Sequence, residues 1–137
     1  LSPSADATAS RALAESLGFE KDQVVQEFGY DDDVDLALRD AIEDAIDADL
    51  EDEDFQELVD AVVLWWREED GDLTDALVDF IATLTPGGPI WVLTPKAGRE
   101  NHVDPAEIDE AAETAGLRMM GTRALENWTA TRLASRA

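Results

Sequence analysis

The residues best equipped for chemistry are three bases in one loop, Lys96, Arg99 and His102, and a run of alternating acids, Asp47-Ala48-Asp49-Leu50-Glu51. The acids invite a calcium reading, but an EF-hand loop beginning at Asp47 needs glycine where Asp52 stands and glutamate where Leu58 stands. Weak surface binding of divalent ions is the most such a run predicts. The chain has one histidine and no cysteine, so His102 has only carboxylates to join it and a transition-metal centre has no ligand set. The lack of cysteine also excludes disulfides, thiolate metal sites and cysteine redox switching. No grouping of nucleophile, base and orienting residue is visible, so no catalytic residue is assigned.

The bases gain interest from the elements around them. Two short runs, Ala61 to Trp66 and Ile90 to Thr94, are β-branched and aromatic without alternation, as strands buried on both faces are. Adjacent Trp65 and Trp66 must point to opposite faces of such a strand. Between the runs Leu73, Leu77, Phe80, Ile81 and Leu84 recur at three- and four-residue spacing, which predicts a helix with one apolar face. Asp72 can cap it, and Thr85-Pro86-Gly87-Gly88 turns the chain into the next strand. This βαβ unit places the Lys96 to His102 loop at the carboxyl edge of a parallel sheet, where open α/β sheets bind ligands. Gly29, Tyr30, Trp66, Arg67, Lys96, Arg99 and His102 are the candidates to frame a crevice there. The plainer alternative is that Lys96 and Arg99 only neutralise nearby acids.

The rest of the chain extends the pattern. A short helix is expected over Ala7 to Leu17, a strand over Gln23 to Phe28, and a helix over Asp31 to Ile46 with Asp31, Asp32 and Asp33 at its start. Leu50 centres a short strand over Ala48 to Asp52, and Phe55, Leu58 and Val59 form a helical turn. Asp104-Pro105-Ala106-Glu107 carries the signature of a helix start, with Ile108, Ala111, Ala112 and Ala115 as its apolar face. Two strands close the chain, Leu117 to Leu125 and Trp128 to Leu133, with Glu126-Asn127 at the turn. The expectation is an α/β fold, a small three-layer Rossmann-like, mostly parallel sheet with a C-terminal antiparallel hairpin. It occupies residues 1–137 as a single domain, with Leu1 to Asp6 frayed.

A net charge of −23 is concentrated in the first half: residues 1 to 70 carry 23 acids and 4 bases. Asp31 to Asp60 holds fifteen acids against Arg39 alone. Such a field repels nucleic-acid phosphates and anionic lipid, so neither direct nucleic-acid binding nor a membrane is expected, and a basic protein surface is favoured. Asp44, Asp47, Asp49, Glu51, Asp52, Glu53 and Asp54 are the candidate partner-binding surface. The plainer alternative is a surface that keeps the protein soluble. Arg118, Arg123, Arg132 and Arg136 make the tail basic, free to pair with the acidic half within one molecule or between two, which leaves a homodimer open. No apolar run approaches a membrane span and no signal peptide is visible, so the expected location is cytoplasmic.

The run from Asp60 to Trp66, the following helix, Ile90-Trp91-Val92-Leu93-Thr94-Pro95-Lys96 and the C-terminal hairpin resemble the second half of a class I, S-adenosylmethionine-type methyltransferase fold. More closely, Leu64-Trp65-Trp66-Arg67, Trp91 to Lys96 and Asn127-Trp128-Thr129-Ala130-Thr131-Arg132 resemble the actinobacterial family known as domain of unknown function 3052, from about Leu17 to Leu133. That resemblance implies a small cytoplasmic protein connected with transcriptional control through RNA polymerase and a stress sigma factor. It also implies a redox sensor of paired cysteines, which this sequence lacks. A working methyltransferase needs a glycine-rich turn after its first strand, whereas Glu27-Phe28-Gly29-Tyr30-Asp31 offers one glycine between two bulky aromatics. Asp49 or Glu51 could stand for the acid that such a fold places on the ribose. Asp31, Asp32 and Asp33 further disfavour a phosphate-bearing cofactor at the helix start. The sequence reading is therefore a non-enzymatic acidic regulator with no cofactor, the alternative being an S-adenosylmethionine-like binding protein or a methyltransferase-like enzyme.

Overall fold

The computed structural model describes residue 12, residues 14–125 and residues 127–135. The expected fraying of Leu1 to Asp6, most of the helix expected over Ala7 to Leu17, Glu126 at the hairpin turn and Arg136 in the basic tail lie outside the described residues. The elements are β1 (Val25–Phe28), α1 (Leu36–Ile46), β2 (Ala61–Trp65), a 3-10 turn (Glu68–Asp70), α2 (Leu73–Ile81), β3 (Ile90–Pro95), α3 (Pro105–Thr114), β4 (Leu117–Ala124) and β5 (Trp128–Ser135). Among the described residues no helix is long and apolar enough to cross a membrane.

One five-stranded sheet runs in the order β1-β2-β3-β5-β4. The first three strands are parallel, β5 is antiparallel to β3, and β4 is antiparallel to β5 with a bulge between Met119 and Gly121. Both faces are covered, which is why the central strands lack alternation. Ala61, Val63 and Trp65 pack with Leu38, Ile42 and Ile46 of α1 on one face. Val62, Leu64 and Trp66 pack with Leu77 and Phe80 of α2 and Ile108 of α3 on the other. The two tryptophans thus divide between the faces as strand geometry requires.

Several boundaries differ from the sequence expectation for physical reasons. Helix α1 begins at Leu36 rather than Asp31, because Asp35 caps it by accepting from the Leu38 N–H at 3.0 Å. The preceding acids are drawn into a turn, with Val34 N–H on the Asp31 carbonyl at 3.3 Å and Asp33 committed to Arg67. The expected strand around Leu50 shrinks to a single bridge between Gln26 and Glu51. Asp47 in the left-handed region and an Asp52 side chain turned back on the Asp54 N–H leave room for no more. Phe55, Leu58 and Val59 make no helical turn: Leu58 is 65% exposed, and Val59 bridges Leu84. That bridge also pulls Leu84 out of α2, which ends at Ile81. Asp72 and Asp104 cap α2 and α3 as their spacing predicts.

The path between β1 and β2 fixes where a site can form. From β1 the chain crosses one face through α1, touches the outer edge of β1 at Glu51, and returns to lay β2 along the other edge. Gln26 secures this return, donating through Nε2 to the carbonyls of Asp52 at 2.9 Å and Phe55 at 3.0 Å. The carboxyl ends of β1 and β2 therefore flank a topological switch point, the position at which α/β sheets open a crevice.

Candidate ligand crevice and acidic face

At that switch point β1 ends in Gly29, whose φ of 78° turns the chain sharply away. A Cβ at this position would lie 2.2 Å from the Trp65 carbonyl oxygen, so glycine is required by the close approach of the β2 backbone. On the β2 side the chain continues through Trp66 into Arg67, whose side chain folds back into the gap.

Arg67 is only 7% exposed. Its Nη1 donates to the carbonyls of Gly29 at 2.7 Å and Trp65 at 3.1 Å, so the guanidinium ties the two strand ends together. Nε donates to Asp33 Oδ2 at 3.1 Å and Nη2 to Asp33 Oδ1, a two-point carboxylate clamp. The guanidinium carbon stands 5.4 Å from the centre of the Trp128 ring, and Asp70 adds a carboxylate 3.7 Å away. Burial pulls the Arg67 pKa down, but the hydrogen bonds and charge of Asp33, helped by Asp70 and Asp31, outweigh it and hold the group above its ordinary value. Asp33 is held below the ordinary carboxylate value by the hydrogen bond from Arg67, with burial opposing and the charge of Arg67 reinforcing the shift.

A second ion pair backs the first. Glu27, 7% exposed within β1, accepts from Arg39 Nε at 2.6 Å and Nη2 at 2.8 Å, and from Trp65 Nε1 at 2.8 Å. Arg39 in turn lies 4.6 Å from the centre of the Tyr30 ring, and its pKa is raised by the hydrogen bonds to Glu27 against the pull of burial. Arg67 thus holds the loop from Gly29 to Asp35 at Gly29 and Asp33, and Arg39 lies against it at Tyr30.

Beside Arg67 a cleft of about 650 Å³ opens between the strand ends, α2 and the returning segment. Phe28, Phe55, Trp66 and Phe80 supply its aromatic walls, while Tyr30, Asp31, Glu53 and Asp79 stand among its polar lining. Phe28 and Phe80 fix one wall by contact, with ring centres 4.2 Å apart.

Of the seven crevice residues read from sequence, Gly29, Tyr30, Trp66 and Arg67 come together in this cleft. Lys96, Arg99 and His102 line none of it. The loop after β3 folds toward the start of β5 instead: Lys96 N–H and Arg99 Nη1 donate to the Asn127 carbonyl at 3.2 and 3.3 Å, and His102 Nδ1 lies 2.7 Å from the Pro95 carbonyl oxygen. β3 is one strand removed from the switch point, which accounts for the separation. Sequence reading missed Glu27, Asp33 and Arg39 as partners. The available signal was Arg39 itself, the one base within the fifteen-acid stretch.

On the acidic face Asp44, Asp47, Asp49, Asp52, Glu53 and Asp54 are exposed and Glu51 is half-buried by its bridge to β1. Glu43 is spent locally, accepting from the Leu50 N–H at 2.8 Å. Among the described residues no cluster of three or more His, Cys, Asp or Glu is arranged to hold a metal ion.

Among solved structures, the fold is similar to that of the mitomycin 7-O-methyltransferase MmcR, with a TM-score of 0.65, 12% identity and coverage of 95% of this chain but 54% of that one. The ribosomal protein L11 methylase of Lactobacillus delbrueckii subsp. bulgaricus gives a TM-score of 0.58 at 12% identity, covering 98% of this chain and 81% of that one. At such identities the likeness is one of fold. Room beside Gly29 is filled by the Trp65 carbonyl, and the free face of the Gly29 carbonyl is taken by the Arg67 guanidinium. Closer relatives are the uncharacterized proteins of Mycobacterium tuberculosis and Mycobacterium bovis, 52% identical over 120 residues, which is 88% of this chain and 76% of theirs. The sequence pattern of the family described as protein of unknown function (DUF3052) matches residues 14–137, and the chain belongs to that family.

Proposed function

We propose that this protein is a non-enzymatic regulator that docks its acidic face on a basic protein surface, with RNA polymerase or a sigma factor in the cytoplasm as the partner. The observation that carries the non-enzymatic part is Arg67, which closes the switch-point turn from within by holding Gly29, Trp65 and Asp33 at once. The exposed acids from Asp44 to Asp54 support the docking part, because that segment contains no base. Charge of this kind accelerates encounter with a basic surface and disfavours nucleic acid. The partner class is taken from the family resemblance.

Immobilised protein presented with purified actinobacterial RNA polymerase holoenzyme tests this directly. Binding at low salt that weakens at high salt, and that charge reversal of Asp47, Asp49 and Asp52 removes, is the expected result. No binding of core enzyme or holoenzyme at low salt overturns the proposal.

A second reading, a small-molecule binder or methyltransferase-like enzyme, is favoured by one observation: the cleft of about 650 Å³ beside Trp66. That volume lies within the range of ligand pockets. Micromolar binding of S-adenosylmethionine, seen in tryptophan fluorescence and a raised melting temperature, would select this reading over the first.

A further inference from the structure

We propose a second ligand site at the opposite, amino end of the parallel strands, where the N–H groups of Trp91 and Arg132 together bind a small monocarboxylate. The two residues are directly paired across β3 and β5, so their side chains leave the same face of the sheet side by side. Trp91 Nε1 and Arg132 Nε are both buried, and neither has an acceptor among the described residues. Folded proteins seldom leave one buried donor unserved, and two as neighbours call for an acceptor beyond the described residues.

The charge pattern singles out the same place. In a chain with 33 acids and 10 lysines and arginines, Arg132 makes no ion pair among the described residues. Trp91 and Arg132 line a cavity of about 330 Å³ with the segment from Leu17 to Glu20 and the Thr85-Pro86-Gly87-Gly88 turn. That turn forms a fixed wall: a Cβ on Gly88 would lie 2.5 Å from the Asp60 carbonyl oxygen, so the turn is pressed against the start of β2.

The donors dictate the ligand. An indole and a guanidinium have N–H groups and no acceptor, so the ligand must present acceptors to both. Two adjacent donors, one of them charged, match the two oxygens of a carboxylate. Glu20 and Asp60 also line the cavity, Asp60 already accepting from the Val24 N–H at 2.8 Å. These two carboxylates in the lining disfavour a dianion more strongly than a monoanion. The size of the cavity restricts the ligand to a small acid.

Nitrogen-15 NMR tests the site on the intact protein, because the four tryptophans give four indole N–H signals, that of Trp91 being identified with Trp91→Phe. Titration with sodium acetate should move the Trp91 indole and Arg132 Nε–H signals along a saturating curve while the other three indoles stay in place. Sodium chloride at equal ionic strength should not reproduce this, and inorganic phosphate should bind more weakly than acetate. Arg132→Lys keeps the charge but removes the Nε donor, and should weaken acetate at least about tenfold. An acetate response no larger than that of chloride, or one undiminished in Arg132→Lys, overturns the proposal and leaves both donors to water. If Arg132→Lys does not fold, Trp91→Phe serves instead, read at the Arg132 Nε–H signal. An unchanged acetate affinity there overturns the proposal equally.

Discussion

Arg67 clamps Asp33, a residue 34 positions earlier, through two guanidinium nitrogens, and with the same group satisfies the carbonyls that end β1 and β2. The side chain therefore ties the two strand ends and the loop together at the wall of the cleft.

Removing the clamp should be costly out of proportion to a surface ion pair. Arg67→Ala leaves two carbonyls without their donor, and a loss of about 2–3 kcal/mol in urea-induced unfolding is expected. Asp33 is half exposed and finds water, which keeps the loss below that of a fully buried pair. Arg67→Lys should recover less than half of the loss, since an ammonium cannot reach both strand ends and the carboxylate together.

The same pair sets a pH dependence. Because Arg67 holds the Asp33 pKa below its ordinary 3.8, the unfolded chain takes up the proton first as pH falls. The stabilisation is complete above that ordinary value and is lost as pH drops through the folded one. The difference in unfolding free energy between wild type and Asp33→Asn should be constant near neutrality and shrink below about pH 4. Subtracting the variant removes the contribution of the other acids.

Two glycines with positive φ provide a matched comparison. Gly18 has open space where a Cβ would stand, so Gly18→Ala should cost about 1–2 kcal/mol from backbone conformation alone. Gly29→Ala carries the same conformational cost and also drives a methyl into the Trp65 carbonyl, so its urea midpoint should fall roughly twice as far or more.

Helix α1 ends without a single base in its last turn, although acids crowd it. Asp44→Lys should therefore stabilise the fold by about 0.3–1 kcal/mol through the helix dipole, read as a melting temperature about 1–4 °C higher. The same change should weaken binding to a basic partner, separating stability from docking.

What the sequence revealed, and what it hid, follows from the range of the forces involved. β2, α2 and β3 were legible because runs such as Ala61 to Trp66 report burial on both faces through local pattern alone. The caps at Asp72 and Asp104 were legible because a cap acts within three residues. The start of α1 was misplaced because Asp33 answers to Arg67, and no local rule weighs a partner so far along the chain. The strand expected at Leu50 failed for a similar reason, the Asp47 and Asp52 turns overriding one apolar residue. Gly29, Tyr30, Trp66 and Arg67 could be grouped from strand order, whereas Lys96, Arg99 and His102 were placed one strand too near.

The bond from Trp65 to Glu27 also joins two segments that leave the ribosome 38 residues apart. A nascent chain releases β1, with its inward glutamate and the fifteen acids that follow, before either Trp65 or Arg67 has left the ribosome. Until those two residues emerge, the acids repel one another and β1 has no neighbour along its inner edge.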